Sequence, residues 1–291
     1  MTAVPDYLAA PLDVFAADYR RMVLRGRQLL AESDVAIVGL ARNCARQLEA
    51  NLDRVRDLGQ HAGRWRLHVE TNDNEDDTEA VLRTFCEAHH EASYRSQSLG
   101  RGHYGSEFAG RRTQALAEYR TACQEWVRQE CRHVDLVVVV DLDSWGGWSP
   151  DGVFHAAAAL DEMNDAYGMA SVSLVQMRAT GQKPDGTVEP VLGWFHYDAW
   201  ALRLNSYWDD YTHGQGGWKH HWLPPVGSPP VPVCSAFGGM ALYRAWEYLQ
   251  GTYDGSDCEH VPFHRTIAEH GSRLYLNPAM RTLMHWVMDG G

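Results

Sequence analysis

Residues 137–143 read VVVVDLD, which is four valines followed by two aspartates with one leucine between them. A run of β-branched residues with charge at its end is typical of a central strand in a largely parallel sheet that is covered on both faces. In open α/β sheets, ligands bind beyond the carboxyl ends of the strands. The sequence therefore places Asp141 and Asp143 where a functional site is expected.

Segments with the patterns of strands and of helices alternate on both sides of this run. Further strands are predicted at residues 34–40, 65–70, 171–177 and 273–277, and helices at residues 12–30, 44–58, 78–89, 111–131, 151–167, 240–250 and 261–270. This alternation predicts an α/β fold with a central, mostly parallel sheet flanked by helices. No long polar linker interrupts it, so we expect a single domain at residues 34–291 after a helical extension at residues 1–33.

The composition excludes several classes of protein. With 291 residues, of which 45% are hydrophobic, the chain can bury a substantial core. Its net charge of −12 argues against a general nucleic-acid-binding protein and against docking on an anionic membrane. Its six cysteines form no CxxC pair, and no apolar run is long enough for a signal peptide or a membrane span. We therefore expect a cytoplasmic protein with reduced thiols and no transmembrane segment.

The two aspartates after the valine run indicate a metal site. Two carboxylates at one strand end repel each other unless a cation lies between them. Mg²⁺ and Mn²⁺ take carboxylate oxygens and share their shell with substrate phosphates, so a metal at Asp141 and Asp143 explains the pair. A solvated strand end is the simple alternative. An aspartyl-phosphate enzyme is another, but there the motif ends the first strand and precedes small hydroxyl residues, whereas here Ser144 precedes the bulky Trp145.

Polar side chains also lie near other predicted strands. Glu70 and Asn72 end the second strand, where they suit a nucleobase or ribose hydroxyls, although an acidic solvated turn is the alternative. Four arginines lie before or on the helix that leads to the valine run: Arg101, Arg111, Arg112 and Arg120. Of these, Arg112 is the best candidate for binding a phosphate through its guanidinium group. The first strand ends with the single glycine Gly39, so the dinucleotide fingerprint is absent.

The segment at residues 194–203 is rich in aromatic residues and contains Trp194, Asp198 and Arg203. Aromatic rings stack on sugars as readily as they fill cores, so the segment is a candidate for substrate binding or for a half-buried strand. If Asp198 is buried, Arg203 is a plausible partner for its charge. The three histidines of residues 213–221 are interpreted as loop residues and not as zinc ligands.

The last candidates lie before two predicted helices. Gly238 and Gly239 would allow a ligand to approach the backbone closely at the start of the first of these helices. Asp257 and Glu259 precede the second helix, where acids are favoured by the helix dipole alone. The functional interpretation makes Glu259 a general base or a group that stabilises positive charge.

Taken in order, these segments resemble a glycosyltransferase of the GT-A fold that uses a nucleotide sugar. They are most similar to the N-terminal domain of the chlorella-virus glycosyltransferase and to fungal capsule-associated mannosyltransferases. The matching pieces cover most of residues 34–285, and they are VAIVGLARN, ETND, GRRTQALAEYR, VVVVDLD, FHYDAWALR, CSAFGGMALYR and DCEHVPFH. Many families share the DxD motif, whereas FGGMALYR followed by DCEH is much more specific.

The resemblance implies a fold and an activity. The domain would have a nucleotide-binding half at about residues 34–143 and a half for the acceptor and the donor sugar at about residues 144–291. The activity would be metal-dependent transfer of a hexose from a UDP- or GDP-linked sugar to an acceptor hydroxyl on a glycan or other glycoconjugate, as in polysaccharide biosynthesis. Neither nucleic acid nor a membrane span has a part in it.

The resemblance also implies a role for each candidate residue. Mn²⁺ or Mg²⁺ would be bound by Asp143 with Asp141, and His285 would complete the metal shell, with His264 as the other candidate. The donor would contact a second set: Glu70, Asn72, Arg112, Asp141, Gly238 and Gly239. Catalysis at the acceptor would depend on Glu259 and Asp257. Substrate binding would involve Asp198, Trp194 and Arg203.

The sequence is also compatible with two other classes of protein. A sugar-phosphate nucleotidyltransferase also combines nucleotides, a metal and an α/β sheet, but it normally has a basic, glycine-rich loop after the first strand. Here that turn reads ARNCAR at residues 41–46, without glycine. A non-catalytic carbohydrate-binding protein would use the 11 tryptophans and would need no metal.

Overall fold

The computed structural model of the chain describes residues 4–102, 104, 110–204 and 216–286. The helices found in these residues are α1 (Asp6–Ala9), α2 (Ala16–Glu32), α3 (Ala45–Gly59), α4 (Thr78–Ala88), α5 (Arg111–Glu130), α6 (Pro150–Glu162), α7 (Ala245–Tyr248) and α8 (His260–Ala268). The strands are β1 (Asp34–Leu40), β2 (Arg64–Asn72), β3 (Ala92–Gln97), β4 (Leu136–Asp141), β5 (Gly147–Trp148), β6 (Ala166–Gln182), β7 (Val188–His196), β8 (Val231–Val233), β9 (Met240–Arg244) and β10 (Arg273–Trp286).

All of these strands belong to one sheet. Its main path is β3-β2-β1-β4-β9-β6-β10-β5, with β7 paired to β6 and β8 paired to β10. Along this path β9 and β5 are antiparallel to their neighbours, and the other described strands run in one direction. The chain adds β2 and β3 on one side of β1 and then crosses to place β4 on the other side. The predicted α/β fold with a mostly parallel sheet is therefore confirmed, and the point where the order reverses is where such sheets bind ligands.

The valine run forms β4 because both faces of this strand are covered. Val138 and Val140 pack into one hydrophobic cluster, and Val137 and Val139 pack into the other. Since successive side chains of a strand point to opposite faces, the four valines contribute to the core on both sides of the sheet. This explains why the run contains no polar residue until Asp141.

Helices cover both faces of the sheet. One cluster contains Met22 of α2, Leu52 of α3 and Phe154 of α6, while Val127 of α5 and Phe263 of α8 belong to the other. Helix α2 lies so close to α6 that a Cβ atom at residue 26, which is glycine, would come 1.7 Å from the Phe154 carbonyl oxygen. Residues 16–32 are therefore packed into the helical layer. None of the described helices is long and apolar enough to cross a membrane.

The predicted helix at residues 240–250 is wrong. Met240–Arg244 is strand β9, inserted between β4 and β6, and only Ala245–Tyr248 is helical. Short apolar runs do not distinguish a buried strand from a buried helix by pattern alone. The predicted helix at residues 151–167 also ends earlier, at Glu162, and β6 begins at Ala166.

Candidate functional site

A cleft of about 550 Å³ opens at the carboxyl ends of the parallel strands, at the point where the strand order reverses. Strand ends, helix α5 and the segments at residues 197–200 and 258–260 contribute to it, together with Tyr104 and His220. Its lining includes residues 40–42, Glu70, Asn72, one side of α5, Asp141, Asp143, Tyr197, Asp198, Trp200, Gly239 and residues 258–260. The cleft thus collects most of the candidates that the sequence placed at strand ends.

The aspartate pair is held in place by main-chain hydrogen bonds. The Asp141 N–H donates to the Gly239 carbonyl at 2.8 Å, which joins the end of β4 to the start of β9. The Asn51 side-chain amide of α3 donates to the carbonyls of Leu142 and Ser144 at 2.8 and 2.7 Å. Because Leu142 and Ser144 are the neighbours of Asp143, these two hydrogen bonds from Asn51 fix the turn from which the Asp143 carboxylate faces the cleft.

Asp143 is exposed and lines the cleft. Desolvation within the cleft, together with the neighbouring Asp141 charge, raises the pKa of Asp143 to about 7. Among the described residues, its carboxylate has no ion pair with a basic side chain. A hard divalent cation would relieve the repulsion between the two carboxylates, so the chemistry of the pair fits Mn²⁺ or Mg²⁺.

The described residues supply no third metal ligand beside the aspartate pair. Within the described ranges, no group of three or more His, Cys, Asp and Glu side chains could hold a metal ion. His285 lies on β10 with its ring against Trp145 at 5.0 Å between centroids. Both ring nitrogens of His264 already have partners, the hydroxyls of Ser235 and Tyr243, each at 2.9 Å. A metal held by one or two carboxylates would complete its shell with substrate phosphate oxygens and water.

Arg120 of α5 connects two of the acidic candidates. Its guanidinium forms an ion pair with Asp141, and its Nε lies 3.9 Å from Oε1 of Glu259. The group is only 2% exposed and stacks over the Phe237 ring at 4.9 Å. Burial raises the pKa of Glu259, while the Arg120 charge opposes that shift. Arg120 therefore favours the ionised form of Glu259 at the wall of the cleft.

The spacing of residues on α5 contains a signal for Arg120, although Arg112 was the arginine selected from the sequence. The buried residues of α5 include Thr113, Ala117, Arg120, Gln124 and Val127, which repeat at intervals of three and four. This is the spacing of one helical face. An arginine in the middle of a buried face requires an anionic partner nearby, which distinguishes it from arginines on the solvated side.

The end of β2 lies in the cleft as predicted, and its polar groups are already engaged. The Glu70 carboxylate accepts a hydrogen bond from Arg95 Nε at 2.9 Å and lies 2.9 Å from His68 Nε2. Asn72 donates to the carboxylate of Asp73 at 2.8 Å. The Asp73 carboxylate also accepts from the N–H groups of residues 99–101, at 2.8 to 3.1 Å. This network fixes the loop after β3 beside the cleft.

Two further arginines supply positive charge to the cleft. The guanidinium of Arg112 lies over the Trp200 ring at 5.6 Å from its centroid. In the described part of the chain it has no carboxylate partner, so it is available to an anion. Arg42 donates to the carbonyls of Arg101 and Gly102 and thereby helps to hold that loop.

Asp198 and the glycine pair form one structural unit. The Asp198 carboxylate accepts hydrogen bonds from the Gly238 N–H at 2.9 Å and from the Ala201 N–H at 3.1 Å. Gly238 and Gly239 have φ angles of 68° and 82°. A Cβ atom at residue 238 would lie 2.3 Å from the Ser171 carbonyl oxygen, so only glycine fits there. The pair precedes strand β9 and not a helix, and Gly239 faces the cleft.

The described residues that line the cleft do not include Arg203, Asp257 or Trp194. Arg203 is buried and contacts both carboxylate oxygens of Asp257 at 3.2 and 3.3 Å. The suggested pairing of Arg203 with Asp198 is therefore replaced by a pairing with Asp257. Trp194 lies on β7 and donates from Nε1 to the Tyr7 hydroxyl at 2.9 Å. His213 falls outside the described residues.

Tyr197, Trp200 and His260 are among the cleft-lining side chains to which the sequence assigned no role. His260 is buried and stacks on Phe237 at 3.8 Å between ring centroids. Burial and the nearby Arg120 charge lower its pKa well below the ordinary value, so the ring is neutral. His260 belongs to the motif DCEH at residues 257–260. The motif alone does not show which of its members face the cleft, because that depends on packing against Phe237, which is distant in sequence.

No protein-family model matches the chain, and no curated protein sequence matches it. Among solved structures, it is similar to a mannosyltransferase from Pyrobaculum calidifontis in complex with GDP-Man and Mn²⁺, with 14% identity over 96% of this chain and 68% of that one, and a TM-score of 0.48. It is also similar to GalNAc-T7 with UDP, GalNAc and Mn²⁺, with 10% identity over 98% of this chain and 55% of that one, at 0.47. A third is M. tuberculosis glucosyl-3-phosphoglycerate synthase, with 12% identity, 92% and 77% coverage, and a TM-score of 0.47. With 10 to 14% identity and TM-scores of 0.47 to 0.48, these likenesses are distant.

Proposed function

We propose that this chain is a metal-dependent glycosyltransferase of the GT-A type that transfers a hexose from a UDP- or GDP-linked sugar to an acceptor hydroxyl. The observation that carries the proposal is the position of Asp143. It presents an accessible carboxylate beside Asp141, at the carboxyl end of the central strand, in a cleft of about 550 Å³. A cleft of this volume is within the range of small-molecule and cofactor sites.

The donor would lie across the point where the strand order reverses. Asp143 and Asp141 would hold Mn²⁺ or Mg²⁺, which supplies positive charge to the leaving diphosphate. Arg112, which has no carboxylate partner among the described residues, would contact the diphosphate oxygens. Glu70 and Asn72 would face the base or the ribose, with their orientation fixed by the hydrogen bonds to Arg95 and Asp73.

The acceptor would approach from the side of the cleft formed by residues 258–260. For a transfer with inversion, Glu259 takes the acceptor proton while the acceptor oxygen bonds to the anomeric carbon and the bond to the diphosphate breaks. With retention, Glu259 would instead stabilise the positive charge at that carbon. In both cases it acts as a carboxylate, and Arg120 favours that form. Asp257 acts by holding this segment through its pair with Arg203.

The acceptor class and the pathway rest on the sequence resemblance. FGGMALYR followed by DCEH is the specific part of the likeness to the chlorella-virus and fungal capsule-associated enzymes. A polysaccharide or another glycoconjugate is therefore the proposed acceptor. A sugar-phosphate nucleotidyltransferase is the weaker alternative, because the turn after β1 has no glycine to surround a triphosphate.

Thermal unfolding with GDP and UDP tests the proposal. With Mn²⁺ present, one of the two nucleotides should raise Tm by several degrees, since a ligand at a hundredfold excess over Kd contributes about 2.7 kcal/mol. Removal of the metal with EDTA should abolish the shift. No shift with either nucleotide would overturn the proposal. Stabilisation by a nucleoside triphosphate alone would favour the nucleotidyltransferase, and stabilisation by free oligosaccharide without metal would favour a carbohydrate-binding protein.

A further inference from the structure

Strands β6 and β7 form a hairpin that reaches outward from the sheet beside the cleft. The two strands pair without interruption from Leu174 with His196 to Gln182 with Val188. Because paired residues of antiparallel strands point to the same side, and alternate residues along a strand point to opposite sides, the hairpin has two distinct faces.

The base of one face of the hairpin is covered by the N-terminal segment, while Leu192 and Val188 farther along the same face are exposed. Leu174 packs with Val4 and Leu283, and Trp194 lies against this small cluster. The Trp194 indole also donates to the hydroxyl of Tyr7 on α1 at 2.9 Å. This contact explains why the tryptophan that the sequence assigned to substrate binding does not line the cleft.

The opposite face carries an apolar strip made of Val175, Met177, Ala179, Val191 and Phe195. Between Phe195 and Val191 lies Gly193, and a Cβ atom there would come 2.8 Å from the Phe195 ring, so the ring lies over the glycine. The strip therefore has a continuous surface and no charged side chain until Glu189, which pairs with Lys183 at 2.7 Å.

The strip is continuous with the cleft. Val175 and Met177 line the cleft, and the strip runs from Val175 to Ala179 along β6, which is roughly 13 Å, the length of four residues in a strand. Met177 and Val191 are each 38% exposed, so the outer part of the strip is open to solvent. An apolar surface that leads out of a ligand site is typical of a binding groove.

We propose that the apolar strip binds the non-sugar part of the acceptor, which is an alkyl or aryl group attached to the sugar. The inference rests on the proposed function, since the strip leaves the cleft on the side where β6 and Tyr197 form the wall, and not on the side of Glu70 and Asn72. A charged acceptor would gain nothing from the aliphatic part of this surface. An acceptor with an apolar group would remove both that group and the strip from water.

The test is direct binding of octyl glucoside and methyl glucoside, both below micellar concentration, measured by calorimetry without donor or metal. Octyl glucoside should bind at least roughly tenfold more tightly than methyl glucoside. The double variant Met177→Gln/Val191→Thr should weaken octyl glucoside binding by roughly tenfold. Leu192→Gln is the matched control, because Leu192 is 54% exposed and lies on the opposite face of the same hairpin. Its binding should stay within about twofold of the original protein.

Equal binding of the two glucosides, or an equal loss in the Leu192→Gln control, would overturn the inference. So would a concentration-dependent dimer in ultracentrifugation that the double variant dissociates, since a second copy would then cover the strip. The outcome of this test can be distinguished from failure of the proposed transferase function. If the nucleotide and Mn²⁺ produce no thermal shift while octyl glucoside still binds to the strip, the transferase assignment fails and the apolar site stands.

Discussion

Arg120 lies between Asp141 and Glu259, and among the described residues its Nε and Nη1 atoms have no hydrogen-bond partner. The two carboxylates therefore balance the buried positive charge of the guanidinium. The guanidinium in turn stabilises the negative charge of each carboxylate. Removing one member of a buried charge group costs more than the group contributes as a whole, because the remaining charges stay desolvated. This makes Arg120 a sensitive point for both stability and chemistry.

The change Arg120→Met should lower the free energy of unfolding by about 3 kcal/mol, because it leaves Asp141 and Glu259 without their cation. Urea denaturation at pH 8 measures this. The matched control is Arg25→Met, which removes an exposed ion pair with Asp161 and should leave the midpoint nearly unchanged. Similar losses in both variants would contradict the role assigned to Arg120.

The change Asp143→Asn should abolish the Mn²⁺-dependent part of the nucleotide thermal shift. The same variant should be as stable as the original protein or slightly more stable at pH 8 without ligands. The reason is that the raised pKa of Asp143 marks its ionised form as unfavourable in the fold. Asp161→Asn on the surface of α6 is the control and should retain the full shift. A shift that survives in Asp143→Asn would remove this carboxylate from the metal site.

At the residue scale, the sequence predicted those site residues that follow directly from a strand. Asp141, Asp143, Glu70 and Asn72 line the cleft because the end of a parallel strand is identifiable from its own local pattern. Trp194, which the sequence assigned to substrate binding, is not among the described residues that line the cleft, and its partner Tyr7 is 187 residues away. Contacts of this kind leave no trace in a single local pattern.

Among the helices, α6 is buried between α2 and the sheet and carries a histidine at its centre. His155 lies 3.2 Å from the Asn277 amide and stacks on Tyr19 at 5.5 Å. Burial lowers the pKa of His155 to about 4. The buried surroundings of His155 therefore favour the neutral imidazole over the imidazolium.

The free energy of unfolding should consequently fall in acid, and protonation of His155 should account for part of that loss. Its pKa is about 4 in the fold and near 6.5 when unfolded, so between these values the unfolded chain binds more protons. Stability is then lost as the pH falls from about 6.5 to 4, at about 1.4 kcal/mol per pH unit for this group. In His155→Gln, urea titrations should show a smaller slope over this window. His90→Gln, whose side chain is 93% exposed, should keep the original slope.

Strand β9 shows where element prediction from sequence fails. Met240, Ala241, Leu242 and Tyr243 are all buried, as they would be in a buried helix or in a central strand. These residues form a strand because they pair with β4 on one side and with β6 on the other. By contrast, β1, β2 and α3 have local patterns that indicate their own structure. The elements that were predicted well are those that need no knowledge of distant neighbours.

At the scale of the whole molecule, the two halves implied by the resemblance share one sheet. β4 ends the first half, and its outer edge is paired with β9 from the second half. The valine strand is therefore complete only when residues 240–244 are in place. We therefore expect the first half to depend on the second half for its folding.

A fragment of residues 1–143 should therefore fail to fold on its own. It would expose the edge of β4 and the valines that β9 and the adjoining core cover, and an exposed apolar edge favours aggregation. The full chain should unfold in one cooperative transition in urea, followed by circular dichroism and tryptophan fluorescence together. A sigmoidal transition for the fragment would contradict this dependence between the halves.

The hydrogen bond from Asp141 to the Gly239 carbonyl has a consequence for the order of events on the ribosome. The carboxylate pair is synthesised about one hundred residues before the backbone that fixes its position. Domains fold in the order in which they are translated, yet this sheet cannot close until β9 has left the exit tunnel. A nascent chain would thus acquire the proposed affinity for a nucleotide only after residues 240–244 have emerged.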